Sequence, residues 1–111
     1  GLAELQRTFL AADVFCLPSR QEGFGIVFLE AQAARLPIVA ARAGAAPEVA
    51  PEGVVSRLVD PDDVGALAGA LLAMLEDGDL RRRLGDAGAR RWTRFDWPLV
   101  ADRFLAAARG V

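Results

Sequence analysis

The chain has 111 residues, 53% hydrophobic and 25% charged, with a net charge of -2, which allows one domain with a core and argues against disorder, a nucleic-acid surface or an acidic tail. All 13 basic residues are Arg and there is no His. That excludes a Schiff-base or P-loop lysine and the Ser-His and Cys-His nucleophile pairs.

Leu2, Leu5, Phe9 and Leu10 recur at helical spacing, so residues 2–12 read as an amphipathic helix. Val14 to Leu17 is a short apolar run closed by Pro18 and reads as a buried parallel strand. Within it, Cys16 reads as a small core residue, with a reactive thiol as the alternative. A single cysteine forms no disulfide within the chain, which fits a reducing compartment.

The stretch Ser19 to Glu30, S-R-Q-E-G-F-G-I-V-F-L-E, begins as a polar glycine-bearing turn and passes into a helix expected over about residues 24–35. The first N–H groups of such a helix lack backbone acceptors and lie at the positive end of its dipole, a setting for phosphate. Glu22 and Glu30 flank that terminus about 10 Å apart along the axis. The i±3 and i±4 neighbours of Glu30 are Ile26, Val27, Ala33 and Ala34, none of them basic. Glu30 is then either a tolerated carboxylate at a rim or an acceptor for something absent from the local sequence, such as sugar or ribose hydroxyls.

Residues 37–41 form a second apolar run, Gly44 and Pro47 break the chain, and residues 47–50 suit one helical turn. A third strand is expected over residues 54–59. Asp60-Pro61-Asp62-Asp63 reads as a helix start, with Asp60 as N-cap and Pro61 at the first helical position; a D-x-D metal site is the alternative. The helix that follows would bury Val64, Leu67, Leu71, Met74 and Leu75, with Gly65 and Gly69 as close-packing positions. Its apolar stretch, residues 64–75, is too short to span a bilayer, which takes about 20 residues. Asp79 is expected to cap a helix running to about residue 92, with Asp79–Arg83 and Arg82–Asp86 as surface pairs. Asp96 would cap a last helix carrying Leu99, Val100, Phe104 and Leu105, and Trp92, Phe95 and Trp97 read as packing anchors. Helices alternating with apolar strands point to a three-layer α/β fold with a parallel sheet, whose ligands sit beyond the carboxyl ends of the strands.

With seven residues between Glu22 and Glu30, E-G-F-G-I-V-F-L-E-A-Q-A-A followed by P-I-V-A resembles the E-x7-E signature of the retaining GT-B glycosyltransferases of family 4, or glycosyl transferases group 1. Gly44 with Pro47 and Glu48, then Glu52-Gly53, L-V-D-P-D-D and a late F-D-W follow in the order similar to that family, so the resemblance covers nearly the whole chain. It implies a Rossmann-like parallel sheet with flanking helices, part of the C-terminal, donor-binding domain of a GT-B enzyme, with residues 1–111 as a single partial domain. It also implies that Glu22 orients the donor sugar, that the amides of Gly23, Phe24, Gly25 and Ile26 receive the diphosphate, and that Glu30 holds the nucleotide ribose. The substrate would be a nucleotide-diphosphate sugar, with no metal or other cofactor.

The resemblance further implies an acceptor-binding N-terminal domain, which these residues do not include, so no turnover is expected of this chain alone. Peripheral membrane association of the parent, a cytoplasmic location at the inner membrane face, and polysaccharide assembly are what such enzymes suggest. Two rival readings are a non-catalytic nucleotide-sugar binding or interaction module, able to dimerise through an open sheet edge, and an unrelated receiver-like domain, which the absence of Lys disfavours. Four positions depart from the family pattern: Arg35 and Leu36 replace a Gly and a small residue after the central helix, Ala45 replaces the second Gly of a pair, and Ser56 stands where Gly is common.

Overall fold

In the computed structural model, residues 13–17 and 26–94 are described. Three short strands, β1 (Phe15–Leu17), β2 (Ile38–Ala41) and β3 (Ser56–Val59), form a parallel sheet in the order β1-β2-β3. Phe15 pairs with Ile38 and Ile38 with Ser56, so the carboxyl ends Leu17, Ala41 and Val59 come out along one edge. Four helices complete the described chain: α1 (Ile26–Ala33), α2 (Ala46–Val49), α3 (Val64–Glu76) and α4 (Gly78–Arg94). β2 is buried along its whole length, which is why residues 38–41 carry no polar alternation.

The helices sandwich the sheet. On one face Ile38, Ala40 and Leu58 meet Phe28 and Ala31 of α1 and Ala46 of α2, and the ring of Phe15 stands edge-on to that of Phe28 with centroids 6.1 Å apart. On the other face Val39 and Cys16 meet Leu67, Ala70 and Met74 of α3 and Leu80 and Leu84 of α4. Further along, α4 turns to α1: Ala87 joins the first cluster, and Gly85 and Gly88 let the helix backbone lie against Arg35 and Gln32.

α1 ends at Ala33, two residues short of the expected stop. The Arg35 N–H donates to the Gln32 carbonyl over 3.1 Å and the Leu36 N–H to the Ala31 carbonyl over 2.9 Å, a Schellman turn in which Arg35 takes a left-handed φ of 60° and Leu36 is buried. Arg35 therefore occupies the position that glycine favours, and an L residue costs roughly 1–2 kcal/mol there. Its guanidinium reaches Asp86 of α4 over 2.9 Å.

The helix starts differ from the expected ones. Asp60 does not cap α3; Pro61 and Asp62 form a turn in which the Asp63 N–H donates to the Asp60 carbonyl over 3.2 Å and Asp62 has a φ of 69°. That left-handed residue postpones the helix, and Asp63 caps it by accepting from the Ala66 N–H over 2.9 Å. α4 is likewise capped by Asp77, which accepts from the Leu80 N–H over 3.0 Å. Asp79 pairs with Arg82 rather than Arg83, and Asp86 goes to Arg35 rather than Arg82.

The buried face of α3 is also turned from the expected one. Met74 is fully buried and Leu67, Ala70 and Leu71 are half-buried, whereas Val64 is 75% exposed and Leu75 51%. Gly65 and Gly69 are not close-packing positions: both are exposed, a Cβ at Gly65 would meet Asp63 Oδ1 at an ordinary 3.7 Å, and one at Gly69 would meet no atom within 4 Å. No charged residue interrupts residues 64–75, so periodicity alone does not choose a face. Among the described residues no helix is long and apolar enough to cross a membrane.

Candidate functional site

The carboxyl edge of the parallel sheet is where ligands of open α/β folds bind. Of the residues singled out from the sequence, Glu22, Gly23, Phe24 and Gly25 lie outside the described residues, as does the expected last helix with Phe95, Asp96 and Trp97. Ile26 is the first residue of α1, the helix that follows β1, so its backbone N–H belongs to a helix N-terminus on this edge. Glu30 stands one turn further in, about 6 Å down the axis.

Glu30 is half-buried, flanked on its face of α1 by half-buried Val27 and Ala34 and exposed Ala33. The flanking face of Phe28, Leu29, Ala31 and Gln32 is buried. Among the described residues no side chain or backbone group bonds the Glu30 carboxylate; only its main-chain carbonyl is engaged, by the Ala34 N–H at 3.1 Å. A half-buried carboxylate surrounded by apolar side chains keeps its acceptor capacity for a group outside the local chain.

Two loops leave the same edge, after β2 and after β3. After β2, Gly44 has a φ of 58° and Ala45 an ordinary right-handed φ of -79°, leading into α2. Arg42, which no sequence motif had marked, ties this loop to the next strand. Its N–H donates to the Val59 carbonyl over 2.7 Å, and its guanidinium reaches Asp60 at 2.6 Å, Glu52 at 3.1 Å and the Leu58 carbonyl at 3.1 Å. The hydrogen bond and charge of Glu52, then those of Asp60, raise the Arg42 pKa. The Leu58 carbonyl lies on the free side of β3, so Arg42 blunts that edge as well. Its partners come from two stretches, Glu52 before β3 and Leu58 to Asp60 at its end, and no local spacing could have disclosed the cluster.

A cleft of about 190 Å³ opens between this edge and α3, lined by Ala41, Val59, Asp60, Asp62, Asp63, Val64 and Leu67. The acids on its rim are engaged within the chain, Asp60 by Arg42 and Asp63 by the Ala66 N–H. Among the described residues no group of three or more His, Cys, Asp or Glu gathers as a metal site. Burial raises the Cys16 pKa; its side chain lies under α3 with Val39, in the core position expected for it.

Three of the four departures from the family pattern lie at the amino end of the strands. Arg35 and Leu36 make the turn into β2, and Ser56 is the first residue of β3, where its buried hydroxyl donates to the Ala50 carbonyl over 2.6 Å. Only Ala45 stands on the carboxyl edge.

A Rossmann-like parallel sheet sandwiched by helices is the arrangement of a partial C-terminal domain of a GT-B glycosyltransferase. The sequence pattern of the family described as glycosyl transferases group 1 matches residues 2–91, and the chain belongs to that family. It is 46% identical over 105 residues to an MMP alpha-(1->4)-mannosyltransferase of Mycolicibacterium hassiacum, covering 93% of this chain and 26% of that protein. To a D-inositol 3-phosphate glycosyltransferase of Corynebacterium glutamicum it is 38% identical over 99 residues, covering 89% and 24%. The chain thus spans about a quarter of these relatives.

Among solved structures it superposes on sucrose-phosphate synthase of Thermosynechococcus elongatus with a TM-score of 0.77 and 33% identity, over 93% of this chain and 26% of that one. On Anabaena HepE in complex with UDP the TM-score is 0.76 with 26% identity, over 95% and 29%. On the C-terminal domain of a group 1 glycosyltransferase, LpcC, of Francisella tularensis it is 0.75 with 31% identity, over 82% and 47%.

Proposed function

We propose that this chain is the donor-binding part of a glycosyltransferase that moves a hexosyl group from a nucleotide-diphosphate sugar to an acceptor with retention of anomeric configuration. The observation that carries the reading is Glu30: half-buried on the helix leaving the carboxyl edge, with no bonding partner in the described chain. A nucleotide ribose fits it, because an ionised carboxylate accepts two hydroxyl protons at once. The similarity to HepE, whose structure holds UDP, supports a nucleotide as part of the ligand.

In this reading the amides of Gly23, Phe24, Gly25 and Ile26 take the diphosphate at the start of α1, and Glu22 orients the sugar. As the glycosidic bond to the diphosphate breaks, charge grows on the leaving oxygen, and the helix N-terminus stabilises it without a metal. The new bond forms to the acceptor oxygen on the same face, and its proton passes to the departing diphosphate. No protein nucleophile is required, which suits a chain without His or Lys. The acceptor is held by the rest of the parent, so donor binding without turnover is the expected property of these residues.

Calorimetric titration with UDP, GDP and ADP, and then with their sugars, tests the proposal. One base should be preferred, with amide NMR shifts concentrated at residues 23–30. If Glu30 makes charge-assisted bonds to the ribose, Glu30→Ala should weaken that affinity roughly ten- to a hundredfold. Equal affinity in the substituted chain would refute the ribose assignment.

A further inference from the structure

Among the described residues two polar side chains are fully buried, Gln32 and Ser56, and both end on the same piece of backbone. Gln32 Nε2 donates to the Val49 carbonyl over 2.8 Å, and Ser56 Oγ donates to the Ala50 carbonyl over 2.6 Å. Val49 is the last residue of α2 and Ala50 follows it, so these are carbonyls that so short a helix leaves without internal donors. The two arms come from different elements. Gln32 projects from α1, two residues beyond Glu30, and Ser56 opens β3.

Neither side chain is what packing alone would select. A methionine would fill the Gln32 volume without a polar group to bury, and the chain bonds only one end of this amide, leaving Oε1 without a partner in the protein. α4 is nonetheless shaped around it: a Cβ on Gly88 would come within 3.0 Å of Gln32 Cγ. Ser56, for its part, adds a hydroxyl where a glycine would leave the Ala50 carbonyl unbonded.

We propose that Gln32 and Ser56 form a buried two-point clamp that fixes α2, and through it the turn of residues 42–45 at the carboxyl edge, relative to Glu30. The functional half of this inference rests on the donor reading above. α2 is a single closed turn, with the Val49 N–H on the Ala45 carbonyl at 2.9 Å and the Ala46 N–H on the Ala43 carbonyl at 3.2 Å, so it moves as one piece with residues 43–45. Its upper end has no side-chain cap, because Ala45 supplies none. The clamped lower end therefore sets where the turn lies, and Gln32 and Ser56 are positioning residues for the donor.

Backbone amide exchange and UDP titration of the whole chain, with Gln32→Met and Ser56→Ala, test the clamp. Exchange at Val49 and Ala50 should accelerate roughly ten- to a hundredfold in each, while residues 38–41 change by less than about threefold. UDP affinity should fall about tenfold in Gln32→Met. Equal acceleration in strand and helix, the mark of a merely structural role, or no acceleration in either variant, overturns the clamp. Loss of protection at residues 49–50 with UDP affinity unchanged overturns the positioning role. An unsubstituted chain that ignores UDP counts against the donor reading, and the exchange data still decide the clamp.

Discussion

Gly85 is where α4 crosses the turn between α1 and β2, and replacing it by alanine is a direct test of how these elements are joined. A Cβ there would fall well inside van der Waals contact of the Arg35 carbonyl oxygen and 3.1 Å from its carbonyl carbon. Relief requires α4 and the turn to part by about 1 Å, since such atoms rest at about 3.5 Å or more. The turn has little freedom to yield, because Arg35 is already left-handed and Leu36, next to it, is buried. Overpacking of this kind costs about 1–3 kcal/mol, against which alanine regains about 1 kcal/mol of helix propensity. Because the clash is with backbone rather than a flexible side chain, the cost falls in the upper part of that range, about 2–3 kcal/mol. The expected net loss is then about 1–2 kcal/mol, a fall in Tm of about 5–10 °C for a domain of this size. Gly69→Ala is the matched control: the same replacement in a helix, at an exposed site with nothing within 4 Å, should gain up to about 1 kcal/mol. Thermal and urea unfolding followed by circular dichroism measure both. If Gly85→Ala is as stable as the parent chain, the close approach of α4 to Arg35 is wrong.

Asp63→Ala should cost about 1 kcal/mol by removing the α3 cap, while Asp60→Ala should leave that helix start intact; equal loss of α3 helicity in the two would restore Asp60 as the cap. Met74→Ala, at a fully buried site between α3 and the sheet, should cost about 2–5 kcal/mol in urea unfolding, whereas Leu72→Ala on the exposed side should cost far less. Burial raises the Cys16 pKa, so its thiol is favoured protonated in the folded chain. The stability this contributes is complete below the unfolded thiol pKa and is lost as pH rises through the folded one. Unfolding midpoints should therefore drop on the alkaline side more steeply for the parent chain than for Cys16→Val, and parallel profiles would show that the thiol is not held by burial.

Strands were legible because a sheet covered on both faces leaves continuous apolar runs: residues 14–17 and 37–41 announce β1 and β2 to within a residue or two. The face of α3 was not legible, since residues 64–75 offer apolar side chains all round and only the position of Met74 under the sheet decides. Caps were misplaced by a few residues for a related reason. Asp60, Asp62 and Asp63 are each competent, and the choice falls to a left-handed turn at Asp62 that no periodicity encodes. Arg42 was invisible because Glu52, Leu58 and Asp60 reach it from 10 to 18 residues away in sequence.

The departures from the family pattern change meaning once they are placed. Read in sequence, Arg35, Leu36, Ala45 and Ser56 put the donor pocket in question; in space, three of them build the opposite end of the sheet, as a helix stop and a buried hydroxyl anchor. At the carboxyl edge glycine is kept at Gly44, where a φ of 58° favours it, and yielded at Ala45, whose φ of -79° suits any L residue. The backbone of that turn thus bears no strain from the change, and what remains is a half-buried methyl group on the loop at the carboxyl edge. If the proposed donor sits there, Ala45→Gly should alter the preference among donor sugars without changing the affinity for the bare nucleotide diphosphate, because only the sugar would extend past the diphosphate toward that methyl. Equal changes for both ligands would place Ala45 against the nucleotide instead.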